Sequence, residues 1–184
     1  MRPLLAPLVA LALALALALA ACSGGEDEEP AEGAAAQNQP AAPEAPEAQV
    51  QVANAADQTA KPRVRVPDGV EPPRALRTRD LVPGDGPALR AGDQVTMQYV
   101  GVSWSTGRQF DASWDRGEPF GFQLGAGQVI QGWDRGLVGM RVGGRRLLVI
   151  PPDLGYGAQG QPPDIAPNET LVFVVDAVRV NRST

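Results

Sequence analysis

Between Gln94 and Val102 apolar and polar positions alternate: Val95, Met97 and Tyr99 face one way, Thr96, Gln98 and Val100 the other. A period of two is that of a β-strand lying on a core. The longest strand pattern is "TLVFVVDAVRV", residues 170–180, rich in β-branched residues, with Leu171, Phe173 and Val175 on one face. Shorter strand-like runs are "RALRTRDLV" (74–82), "GRQFDASW" (107–114), "PFGFQLG" (119–125) and "RRLLVIPP" (145–152), the last closed by prolines. "PGDGPALRAGD" (83–93) carries turn chemistry. Residues 154–170 form a Gly/Pro-rich loop of a length that usually marks function.

One segment has helical spacing. In "GQVIQGWDRGL" (127–137), Val129, Ile130, Trp133 and Leu137 share a face. Gly127, Gly132 and Gly136 sit in or beside it, although an interior helical glycine costs about 1 kcal/mol against alanine. A glycine lets a helix backbone approach a sheet closely, which would set the Trp133 indole into a concave sheet face. The elements predict an α+β domain: a five- to six-stranded antiparallel sheet curled around one short helix inserted before the penultimate strand.

The preceding residues have another character. "MRPLLAPLVALALALALALAAC" is one positive charge, an apolar run, small residues and then Cys22, the layout of a secretory signal peptide. Leu19-Ala20-Ala21-Cys22 resembles the bacterial lipobox, in which the cysteine is lipidated after cleavage. The expectation is a lipoprotein-type signal peptide over 1–21 and a lipid on Cys22. This would place the domain outside the cytoplasm, at a membrane of the cell envelope. Residues 22–73 are small, acidic and proline-studded, and are expected to be a disordered tether, with loose packing on the domain left open for its last part, "KPRVRVPDGVEPP" (61–73). Residues 74–184 are then the domain, and about 110 residues suffice for one core.

The net charge of −5 argues against a nucleic-acid face. The chain has no histidine and a single cysteine. This removes Ser-His-Asp and Cys-His catalysis, a cysteine zinc site and an internal disulfide. No metal and no cofactor is expected, and nothing demands more than a monomer. Chemistry falls to carboxylates, tyrosines, backbone groups and shape.

The run "YVGVSWSTGRQFDASWDRGEPFGFQLGAGQVIQGWDRGLVGMRVGGRRLLVIPPDLGYG", followed by "TLVFVVD", resembles the FKBP-type peptidyl-prolyl isomerases, without gaps from Tyr99 onward. The likeness covers about Arg74 to Val180 and says nothing of the first 73 residues. It implies a curled antiparallel sheet around one short helix and a hydrophobic active-site pocket between them. It implies Trp133 as the aromatic floor, with Tyr99, Phe110, Phe120, Val129, Ile130 and Phe173 as walls. It also implies that the Ile130 N–H and the Tyr156 hydroxyl hold substrate carbonyls. Asp111 would lie beside the twisting bond with Arg116 near it, and Ile165 would close one side. The partners implied are proline-containing segments, here of exported proteins, and macrolides. Many family members have a histidine where this chain has Gln161, in a more polar loop than usual.

Rotation of an X–Pro bond breaks no covalent bond, so a chain without histidine or metal can catalyse it. Singly, Trp133 and the phenylalanines read as core aromatics and Asp111 as a turn residue; their joint occurrence carries the inference. Two readings remain at this point: an isomerase that assists folding of exported proteins, and a proline-segment-binding chaperone or adaptor without turnover. A solute-binding lipoprotein would need a longer, two-lobed chain.

Overall fold

The structure, a computed structural model, describes residues 45–182. The signal-peptide, Cys22 and early-tether expectations fall outside these residues. The main sheet contains β3 (Arg77–Pro83), β4 (Gln94–Ser103), β5 (Gln109–Ala112), β6 (Phe120–Gln123), β7 (Gly144–Ile150) and β8 (Leu171–Asn181). Its order is β3-β7-β8-β4-β5, with every pairing antiparallel. The outer side of β4 is shared. Val100–Val102 pairs with β5, and Gln94–Met97 pairs with β6. Register shifts in β4 between Thr96 and Met97 and between Gly101 and Val102 mark bulges, which bend a strand and increase its twist.

Two helices interrupt the strands: α1 (Ser113–Arg116) and α2 (Gln131–Gly136). α1 is an addition to the sequence reading, which expected one helix and extended strand through Trp114. α2 is shorter than the eleven-residue pattern. Val129 and Ile130 precede it in non-helical backbone, with Ile130 as its N-cap. The glycines in α2 answer a packing demand. A Cβ on Gly132 would lie 2.4 Å from Cγ2 of Ile150, and one on Gly136 would lie 2.3 Å from Cδ2 of Leu148. The helix therefore rests its bare backbone on β7.

The period-two pattern of β4 and β8 holds on both faces. Val95, Met97, Tyr99, Leu148, Ile150, Leu171, Phe173 and Val175 pack with Trp133 and Leu137 of the α2 region on the concave face. Val100, Val102, Leu147, Val149, Val172 and Val174 form a second apolar layer on the other face.

That second layer corrects the tether expectation for residues 45–73. This stretch is an ordered arm, within the same compact unit as the sheet. It contains a 3₁₀ turn (Pro46–Gln49) and a hairpin of β1 (Gln51–Ala53) and β2 (Arg63–Arg65). Val50 and Val66 are buried against the second layer, and Val52, Val64 and Val70 pack on it. Sparse valines suffice here because the sheet supplies the rest of the apolar surface, so the arm need not form a core of its own. Polar contacts hold it as well. Arg79 donates to the Val50 carbonyl (3.0 Å), and the Trp104 indole donates to that of Val70 (3.0 Å). Arg145 of β7 is fully buried beneath the hairpin loop. It forms a bidentate pair with Asp176 of β8 and donates to the carbonyls of Asn54, Asp57 and Ala60. A buried guanidinium needs such complete pairing.

Candidate functional site

On the concave face lies a cavity of about 200 Å³ lined by Tyr99, Phe110, Asp111, Phe120, Gln128, Val129, Ile130, Trp133, Tyr156 and Phe173. Larger clefts elsewhere carry at most one aromatic residue each and lack this cluster of rings. Strand alternation sends Tyr99 from β4 and Phe173 from β8 to the same face. Phe110 and Asp111 come from β5, Phe120 from β6, Trp133 from α2, and Tyr156 from the loop after β7.

Edge-to-face contacts fix the aromatic rings. Trp133 meets Tyr99 at 5.1 Å and 85°, and Phe173 at 5.2 Å and 84°; Phe110 meets Phe173 at 5.5 Å and 86°. These are preferred geometries for aromatic quadrupoles. Gly101 makes room for this arrangement: a Cβ there would lie 2.6 Å from Cζ of Phe110 and 2.8 Å from Cε1 of Phe173. The Trp133 indole nitrogen is buried and has no hydrogen-bond partner among the described residues.

One wall is polar and tightly wired. The Tyr99 hydroxyl donates to Oδ2 of Asp111. Arg116 donates to Oδ1 of Asp111 and, at 2.8 Å, to the Tyr99 hydroxyl oxygen. Its guanidinium also lies 5.5 Å from the Tyr99 ring centroid, within cation–π range. Burial first, then the bond to Asp111, pushes the Tyr99 pKa up to about 12. The phenol therefore remains a donor across the neutral range. Tyr156 is 37 % exposed at the mouth, with its pKa raised by partial burial and by the Asp111 charge. Its hydroxyl has no hydrogen-bond partner among the described residues.

Opposite the polar wall, the chain enters α2 through a pinned turn. Asp134 accepts the N–H groups of Gly125 (2.8 Å) and Gly127 (2.9 Å), and Gln128 accepts the N–H of Gln123 (2.9 Å). This fixes Val129 and Ile130 at the rim. Ile130 gives its carbonyl to Trp133 and Asp134.

Nine of the eleven pocket residues expected from the sequence line this cavity. Arg116 stands behind the wall and reaches it through Asp111 and Tyr99. Ile165 does not line the cavity. It is buried in the concave core and borders the adjoining cleft, which also touches Phe110. The loop turns inward there because Gln161 and Ile165 exchange backbone hydrogen bonds, both 2.9 Å. The sequence reading missed Gln128 and Asp134. A polar residue and a helix-first-turn aspartate look ordinary until the turn they anchor is seen.

The family model for "FKBP-type peptidyl-prolyl cis-trans isomerase" matches residues 86–178. The chain belongs to that family. An FK506-binding protein of Streptomyces anulatus is 58% identical over 121 residues, 65% of this chain and 97% of the relative. Human peptidyl-prolyl cis-trans isomerase FKBP2 is 50% identical over 95 residues, 52% of this chain and 66% of the relative. A crystal structure of AtFKBP13 superposes with a TM-score of 0.55 at 36% identity, covering 58% of this chain and 93% of that one. Its FKBP fold agrees with the expected curled sheet around a short helix. As an FKBP-type isomerase, the protein turns X–Pro bonds.

Proposed function

We propose that the aromatic cavity is where the X–Pro bond turns and that the enzyme acts on exported proteins outside the cytoplasm. The observation that supports the site is the meeting of an apolar floor and a wired polar wall in one small cavity. Planar X–Pro has a rotation barrier of about 18–20 kcal/mol because resonance stiffens its C–N bond. Twisting removes the resonance and makes the amide less polar. An apolar, water-poor cavity therefore stabilises the twisted form relative to the planar one.

In this reading the proline ring rests on Trp133 among Tyr99, Phe110 and Phe173. The Tyr156 hydroxyl and the Ile130 N–H hold flanking carbonyls while the bond turns. Asp111 faces the turning amide, held by Tyr99 and Arg116. Val129 and Phe120 close the rim, while Ile165 supports the Phe110 side from the core. The same cavity would accept FK506-type macrolides, the ligand for which the Streptomyces relative is named. The lipobox-like Leu19–Cys22 supports anchoring by a lipid on Cys22. The enzyme would then work as a monomer at the envelope membrane.

The test follows cis-to-trans exchange in X–Pro peptides with the full chain and with a Tyr156→Phe, Asp111→Ala double variant. Macrolide-sensitive acceleration that the variant loses supports the site. Equal activity in the variant contradicts it. Metabolic labelling with palmitate, lost in Cys22→Ala, tests the anchor.

A further inference from the structure

We propose that Lys61, on the N-terminal arm, is a positioning residue for this active site; the proposal rests on the site assignment above. Residues 45–73 lie outside the stretch matched by the family model, yet they reach the catalytic wall. The link is α1, whose four residues are too few to hold a helix unaided. Its first residue, Ser113, is fully buried and accepts the Tyr99 N–H at 2.8 Å. Its last, Arg116, holds Asp111 and the Tyr99 hydroxyl. Between them Asp115 faces away from the cavity and is gripped from outside. Lys61 donates to its Oδ1 at 2.6 Å, and Gln109 to its Oδ2 at 2.8 Å.

Lys61 is itself fixed in place. The carbonyl of the preceding residue, Ala60, accepts from the buried Arg145, as do those of Asn54 and Asp57. A continuous set of contacts therefore runs from Asp176 and Arg145 in the sheet, through the hairpin loop and Lys61, to Asp115 and Arg116. Pinned at Ser113 and Asp115, α1 presents Arg116 to Asp111 at a fixed distance. Released at Asp115, its last turn can fray and Arg116 loses registry. Lys61 touches neither the cavity nor substrate and acts through the helix alone.

The experiment compares kcat/KM for X–Pro exchange in the purified full chain and in Lys61→Met, Lys61→Arg, Asp115→Asn and the Lys61→Met, Asp115→Asn double variant, with urea midpoints alongside. Lys61→Met and Asp115→Asn should each lower kcat/KM by about two- to fivefold, the scale of an exposed charged pair. The double variant should lose no more than either single one. Lys61→Arg should restore activity, and the urea midpoints should stay near that of the wild type. An active wild type with an equally active Lys61→Met overturns this proposal alone. So does a loss that Arg fails to rescue, or losses that multiply in the double variant. An inactive wild type removes the site assignment and this proposal together.

Discussion

Replacing Gly132 with alanine separates two physical effects of opposite sign. Helix propensity alone favours alanine by about 1 kcal/mol. Packing opposes it, because the new Cβ would lie 2.4, 2.7 and 2.8 Å from three side-chain atoms of Ile150. Comfortable carbon–carbon contact is roughly 3.5–4.0 Å, so the helix or β7 must yield by more than 1 Å. Ile150 is fully buried and β-branched, with few rotamers to escape into. Overpacking of this kind costs about 1–3 kcal/mol. The crowding at three atoms places Gly132 at the upper end, leaving a net loss of about 2 kcal/mol. In urea, with m of about 2 kcal/mol/M, the midpoint should fall by about 1 M. Gly136→Ala would clash closely with a single atom, the terminal Cδ2 of Leu148, against three atoms of Ile150 at Gly132, and should lose less. A Gly132→Ala midpoint at or above that of the wild type would refute the packing argument.

Arg145→Met should cost about 3–5 kcal/mol, because it leaves Asp176 buried without its partner; trypsin should then cut rapidly after Arg63 and Arg65 in the released arm. Gly101→Ala should lower kcat/KM roughly tenfold or more, read in the peptide assay, by pushing Phe110 or Phe173 into the cavity. Tyr99, with a folded pKa of about 12 against about 10 unfolded, ionises first in the unfolded chain. Its contribution is complete below pH 10 and disappears as pH rises through 12, by roughly 3 kcal/mol in all. Urea titrations between pH 9 and 12 should show a shallower decline in Tyr99→Phe than in the wild type, the residual slope including that of Tyr156.

The alternation of Val95, Met97 and Tyr99, and of Leu171, Phe173 and Val175, made the concave core and the strands legible in the sequence. The spacing of Val129, Ile130 and Trp133 pointed to their common face, but the helix begins only after Ile130. The glycines of α2 were readable as a sign of close approach, though not the partners Leu148 and Ile150, which are distant in sequence. The order of the arm, beyond loose packing of residues 61–73, is not legible within the segment alone, whose hydrophobic content is low. The counter-signal lay elsewhere, in Val100, Val102, Leu147, Val149, Val172 and Val174, an apolar second face that requires a cover. The pocket residues were recognised by family resemblance, since single aromatics in strands carry no mark of a cavity. The Tyr99–Asp111–Arg116 wiring and the anchoring of Gln128 and Asp134 depend on side-chain geometry that spacing does not encode.

The most direct test of the account is the rate of cis-to-trans exchange in a short X–Pro peptide with and without the full chain, repeated with FK506 and with the Tyr156→Phe, Asp111→Ala variant. The account predicts acceleration by the wild type that FK506 abolishes and the variant largely loses while remaining folded. A folded wild type that binds FK506 yet leaves the exchange rate unchanged would contradict it, and would leave the cavity as a proline-binding site without turnover.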